Sequence, residues 1–198
     1  MSLERMIWNK LKIHRGDVQP LTGAPWHHVN RNILGEIFNE AKFKYGAEIG
    51  VERGRFSEIL CKAIPDLKLI CVDPWGVYGY NSAEKMDVVY QHALNRLKNF
   101  NIEFKRMKSV DAAKEVPDGS LDFVYVDALH EFDNVMIDII TWAPKVRIGG
   151  IVSGHDYTIQ YTYGVINAVQ AYVRVHNVAN WYITTGDREP SWFWIRRS

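Results

Sequence analysis

From Lys44 onward, short apolar runs of strand length alternate with segments whose apolar residues recur at helical spacing. Tyr45–Gly50 reads as a strand, followed by a glycine-containing turn and a helix over Arg55–Ala63. Lys68–Asp73 (KLICVD) is a strand of the buried type, and Val88, Val89, His92, Leu94 and Leu97 set a helix over Ala83–Asn99. A strand over Ile102–Met107, a short helix over Asp111–Glu115 and a strand over Leu121–Asp127 (LDFVYVD) follow. Val135, Ile139 and Trp142 mark an amphipathic helix over Glu131–Trp142, which Pro144 stops. Gly149–Gly150 then opens a fifth strand, Ile151–Ser153, and Tyr163–Val175 is one more helix. Trp181–Thr185 and Trp192–Ile195 are two strands joined through Gly186–Pro190 with no helix between them.

Strands that alternate with helices need crossover connections, so they form a parallel sheet covered on both faces. The last two strands have no crossover and predict an antiparallel hairpin. The expected fold is α/β, a three-layer sandwich around a mostly parallel seven-stranded sheet with a C-terminal antiparallel hairpin. Residues 1–40 lack a strand pattern and read as an N-terminal helical cap, broken at Pro20–Pro25, ahead of one domain over 41–198.

Composition narrows the class. A chain of 198 residues that is 47% apolar and 24% charged suits a globular domain needing neither disulfide nor metal as a staple. Its net charge of +1 lacks the basic excess that nucleic acid or a polybasic membrane anchor requires. No run approaches the ~18 apolar residues of a membrane span, and Met1–Arg15 is charged throughout, so a cytoplasmic address is expected. Cys61 and Cys71 have no CxxC spacing and sit in apolar stretches, as reduced core thiols do. The near-neutral total hides an asymmetry: Asp111–Asp138 carries eight carboxylates against Lys114 alone.

Open parallel sheets bind ligands beyond the carboxyl ends of their strands, where the strand order reverses. After the first strand stands Glu48-Ile49-Gly50-Val51-Glu52-Arg53-Gly54, whose glycines permit a tight turn and whose next helix offers free N–H groups. The spacing is not that of the dinucleotide fingerprint. Asp73 ends the second strand, where a carboxylate accepts ribose hydroxyls or caps the turn before Pro74. Ser109-Val110-Asp111 follows the third strand, placed for an adenine edge or for capping the short helix. Asp127-Ala128-Leu129-His130 follows the fourth strand and His155-Asp156-Tyr157 the fifth. Two strand ends thus bring two carboxylates and two imidazoles to one rim, as metal ligands or as a base near neutral pH. The plainer alternative is a structural bond from His130 to Asp127.

In this order and spacing the motifs resemble those of the class I S-adenosylmethionine-dependent methyltransferases, over roughly Ala47–Val173. They are most similar to the methyltransferase-domain group that includes macrocin-type sugar O-methyltransferases. The resemblance implies a Rossmann-like sheet, with Glu48, Gly50 and Gly54 along the methionine part of S-adenosylmethionine, Asp73 on the ribose and Ser109 near the adenine, and with Asp127 also on the cofactor rim. In metal-dependent relatives, acidic residues at the fourth and fifth strand ends hold magnesium and the acceptor hydroxyl. Asp127 and Asp156 match those places, and His155 stands where several relatives carry Asp. The expected metal set is therefore Asp127, His155 and Asp156, for Mg2+ or another divalent cation. Glu52 replaces the middle glycine of the commonest loop.

The expected reaction is methyl transfer to a hydroxyl of a small molecule or sugar, with His130 or His155 as base and Asp127 beside them. Enzymes that methylate DNA or amide nitrogen commonly carry an Asn/Asp-Pro-Pro-aromatic segment where this chain has Asp127-Ala128-Leu129-His130. The alternatives are a non-catalytic S-adenosylmethionine-binding subunit and a nicotinamide-dependent oxidoreductase; the missing middle glycine and the terminal hairpin count against the latter. Trp75, Tyr78 and Tyr80 suggest a lid over the acceptor, with Trp26, His27 and His28 either on the same rim or packing the cap. Trp192-Phe193-Trp194 assigns one strand face to the core and leaves the other as a candidate homodimer surface.

Overall fold

Ser2 opens the first helix by accepting the Arg5 N–H on its Oγ at 3.3 Å, and Ser82 does the same for Lys85 at the start of the longest one. The computed structural model describes residues 1–13, 21–22 (backbone only), 29–77, 81–159 and 163–197. In chain order the elements are α1 (Leu3–Leu11), β1 (Leu21–Thr22), α2 (Asn32–Glu40), β2 (Tyr45–Ile49), α3 (Arg55–Ala63), β3 (Lys68–Val72), α4 (Ala83–Leu97) and β4 (Asn101–Lys105). Then come α5 (Ser109–Ala112, prolonged by the tighter turn Ala113–Glu115), β5 (Leu121–Val126), α6 (Phe132–Trp142), β6 (Val146–Gly154), α7 (Gly164–Val175), β7 (Trp181–Ile183) and β8 (Trp192–Ile195).

The strands form one sheet in the order β1-β7-β8-β6-β5-β2-β3-β4. Only β8 runs against its neighbours, antiparallel to β6 and to β7, and every other pair is parallel. This is the expected α/β sandwich with its C-terminal hairpin, and all seven predicted strands are present.

Alternation along the strands sorts the core onto two faces. Leu69, Cys71, Phe123 and Tyr125 pack with α1 to α4, through Leu11, Ile37, Phe56, Leu60 and Val89. Ala47, Ile49, Ile70, Val124 and Val126 pack with α5 to α7, through Ala112, Ile139, Trp142 and Ala168. Each fully buried Leu, Ile or Phe contributes about 1.5–3 kcal/mol, which is why both sides of a β5 reading LDFVYV are apolar or aromatic. Cys61 and Cys71 are buried and unbonded to each other, as expected. No described helix is long and apolar enough to cross a membrane.

Three expectations need correction. Residues 1–40 do contribute a strand, the eighth of the sheet: β1 pairs in parallel with β7, Leu21 opposite Tyr182. Two residues are too few for any alternation to be read. Gly149–Gly150 lies inside β6 and does not open it; the register against β5 shifts between Val146 and Ile151, and Gly149 takes φ +79°. Glycine at a β-bulge mimics a strand start in sequence. Finally, β8 has no free face for a second copy, because Trp192, Phe193 and Trp194 are all buried, the tryptophans against α7 and Phe193 among the residues around α1 and α2.

Candidate active site

The parallel strands β2, β3, β5 and β6 deliver Gly50, Asp73, Asp127 and His155 to one edge, each directly after its strand. The strand order reverses between β2 and β5. There the two loops nearly touch: a Cβ on Gly50, whose φ is +88°, would lie 2.0 Å from the Asp127 carbonyl oxygen. Only glycine allows that approach. Glu52, in the middle-glycine position, also takes a left-handed φ of +50°, a conformation strained for any residue with a Cβ. Gly54 ends the loop at φ +70° and caps α3.

Asp73 braces this loop. Its Oδ2 accepts the N–H groups of Val51 and Glu52, both at 3.0 Å, and its Oδ1 accepts that of Trp75 at 2.7 Å. A carboxylate offers about four acceptor sites, so a ribose hydroxyl would share Asp73 with three backbone donors. Glu48 lies beneath the loop, because alternation in β2 turns it away from Ala47 and Ile49; it is buried and accepts the Ser57 hydroxyl. Ser109 is half-buried, accepting from the Trp142 indole at 2.8 Å and donating to Asp138, and it does not cap α5.

The chemistry-bearing groups converge after β5 and β6. His130 Nε2 is 2.8 Å from Asp156 Oδ2, and His155 Nδ1 is 3.2 Å from the same oxygen and 3.7 Å from Asp127 Oδ1. Asp127, His130 and Asp156 each offer a ligand atom within 4.8 Å of the others. That trio differs from the set expected from sequence in one member, with His130 in place of His155, which stands against the same two carboxylates. Two oxygens and one imidazole nitrogen suit a first-row ion such as Mn2+ better than Mg2+, which favours oxygen and water. His130 is fixed from behind: a Cβ on Gly164 would meet the His130 carbonyl oxygen at 2.1 Å, so the start of α7 sits directly on this loop. Asp156 holds a left-handed φ of +57°, the kind of strain that persists where packing dictates a side chain's aim.

Burial pushes the Asp127 carboxyl up to about 6, against the opposing pull of His155 and Arg31. Burial is also the largest influence on Asp156, yet hydrogen bonds from His130 and His155 and their charges hold it well below the usual carboxylate range. The bond to Asp156 raises His130. Two neighbouring carboxyls are thus driven apart, the pattern that separates acid and base roles in a site. Burial pushes Glu48 further, up to about 8.

Arg31 is the site residue that sequence reasoning missed. Its Nη1 is 3.3 Å from Asp127 Oδ2, and its guanidinium carbon lies 4.8 Å from the Phe56 ring centre. The Arg31 N–H donates to Asp187 Oδ2 at 2.6 Å, tying the segment to the β7–β8 connection. No local signal marks such a pairing across 96 positions. Tyr125 was within reach, as a polar-tipped residue in a buried strand; its hydroxyl is 2.8 Å from Ser191 Oγ. Trp75 belongs to the core, not to a lid: it is buried, donates its indole N–H to the Glu52 carbonyl at 2.8 Å and packs on Tyr90. Tyr78, Tyr80, Trp26, His27 and His28 lie outside the described residues.

A family model described as "Methyltransferase domain" matches residues 47–157. No curated protein matches the sequence. The fold is similar to that of the O-methyltransferase from Bacillus cereus in complex with SAH, at 12% identity and TM-score 0.63 over 98% of this chain and 90% of that one. It is similar to the O-methyltransferase NovP, at 18% identity and TM-score 0.64 over 84% and 78%. It is also similar to TomG from Streptomyces achromogenes in complex with SAM, at 14% identity and TM-score 0.61 over 98% and 89%. Identities this low establish the shared fold.

Proposed function

The chain belongs to the methyltransferase-domain family, and on that premise we propose that it transfers the methyl group of S-adenosylmethionine to a hydroxyl of a small molecule or sugar. The observation that carries this reading is the His130–Asp156 pair, 2.8 Å apart beside Asp127 where the strand order reverses. Three similar folds belong to O-methyltransferases, one crystallised with SAH and one with SAM.

S-adenosylmethionine supplies a methyl group already activated on a sulfonium, which leaves alignment and proton removal to the chain. Gly50, Glu52 and Gly54, braced by Asp73, form the turn along which the cofactor lies. His130 Nε2–H donates to Asp156, which makes Nδ1 the basic atom and stabilises the imidazolium once the acceptor hydroxyl gives up its proton. His155 keeps Asp156 from swinging away. Asp127, His130 and Asp156 could instead hold a divalent cation; the His130 imidazole would then be a ligand and not the base, and the cation would lower the pKa of the acceptor hydroxyl.

The test is formation of S-adenosylhomocysteine from S-adenosylmethionine across phenolic and sugar acceptors. His130→Gln and Asp156→Asn should each lower turnover by about 10²–10⁴-fold with S-adenosylhomocysteine binding kept. Full turnover in both variants would remove the proposed base. Binding of S-adenosylhomocysteine without turnover on any acceptor would favour the non-catalytic subunit instead.

A further inference from the structure

We infer that Arg31 is a resident cation of this site, which a divalent metal ion must displace from Asp127, so that the N-terminal segment sets how tightly the site takes metal. The inference rests on the reading of Asp127, His130 and Asp156 as the metal-capable group. Asp127 already faces positive or protonatable groups on both oxygens, Arg31 on Oδ2 at 3.3 Å and His155 on Oδ1 at 3.7 Å. A metal ion needs a lone pair of the same carboxylate and brings two further positive charges. In a partly buried site the ion and the guanidinium cannot both stand against Asp127 without strong repulsion.

Arg31 is held in place from several sides. Its main-chain N–H is bonded to Asp187 at 2.6 Å, and the neighbouring Val29 carbonyl accepts the N–H groups of Thr185 at 3.2 Å and Gly186 at 2.9 Å. These bonds fix the backbone that carries the guanidinium, and the contacts with Asp127 and Phe56 aim it over the rim. It also has somewhere to stay when it lets go: stacking on Phe56, 4.8 Å from the ring centre, does not depend on Asp127. Without metal, Arg31 neutralises Asp127; with metal, it remains on Phe56 as a second positive group beside the acceptor.

The experiment is Mn2+ titration of the full chain, with free ion read by electron paramagnetic resonance. Arg31→Gln should bind Mn2+ about tenfold more tightly than the wild type, a factor equal to ~1.4 kcal/mol. Arg31→Lys should stay near the wild type, and Asp127→Asn should lose binding. Asp187→Ala leaves the guanidinium intact but frees the Arg31 backbone, and should tighten Mn2+ binding several-fold; it keeps the test open if Arg31→Gln does not fold. Equal or weaker Mn2+ binding by both Arg31→Gln and Asp187→Ala, or no binding by any form, overturns the inference. S-adenosylhomocysteine is titrated into the same samples. Its retained binding would leave the methyl-transfer reading standing while the role of Arg31 falls, whereas its failure to bind the wild type would remove that reading itself.

Discussion

Replacing Glu48 by glutamine should stabilise the protein at neutral pH and leave it unchanged near pH 5. Glu48 is 2% exposed within β2, and burial, only partly opposed by the Ser57 hydroxyl, lifts its carboxyl from 4.5 to about 8. The folded chain therefore holds a proton at pH 7 that the unfolded chain has released. For a raised carboxyl, stability is fully present below the unfolded pKa near 4.5 and drains away as pH climbs through about 8. At about 1.4 kcal/mol per pH unit, the interval from 4.5 to pH 7 is worth about 3 kcal/mol. Glutamine keeps the shape and an oxygen for Ser57, but buries an N–H2 at a cost of about 1 kcal/mol. The net gain should be about 2 kcal/mol at pH 7 and near zero at pH 5. Urea denaturation of both proteins at pH 5, 6, 7 and 8 measures it. A stability difference that is the same at pH 5 and pH 7, or a variant less stable at pH 7, would show that Glu48 is not held protonated in the folded chain.

The glycine loop yields three more expectations. Glu52→Gly relieves the left-handed φ of +50° and should add about 0.5–1 kcal/mol, the strain outweighing the entropy of the new glycine, seen as a higher unfolding midpoint. Gly50→Ala places a Cβ 2.0 Å from the Asp127 carbonyl oxygen, and chemical denaturation should show a loss of about 2 kcal/mol or more. Asp73→Asn weakens charge-assisted bonds to Val51, Glu52 and Trp75; calorimetry should show S-adenosylhomocysteine affinity falling by about tenfold or more.

Much of the sheet could be read from the sequence because each strand carries its own signal: KLICVD and LDFVYVD each hold a four-residue apolar run closed by a carboxylate, and helix α3 has the expected limits, Arg55–Ala63. The convergence of Asp127, His130, His155 and Asp156 was legible for a related reason. Parallel strands must point their carboxyl ends the same way, so residues directly after β5 and β6 have to meet. What stayed hidden depends on contacts between distant segments. Arg31 reaches Asp127 only through the bonds of its segment to the β7–β8 connection, and β1 exists only because β7 offers an edge. Trp75 follows a strand as site residues do, yet its partners, Tyr90 and the Glu52 carbonyl, turn it into the core. A sequence gives the position of such residues after a strand but not the direction in which packing turns them.

On the proposed function, the rim after β2, β3, β5 and β6 takes S-adenosylmethionine and not a nicotinamide cofactor. Calorimetric titration of the wild-type chain with S-adenosylhomocysteine and, separately, with NADH addresses it most directly. Saturable one-to-one binding of S-adenosylhomocysteine and no heat from NADH are the expected results. Saturable NADH binding with no response to S-adenosylhomocysteine would contradict it.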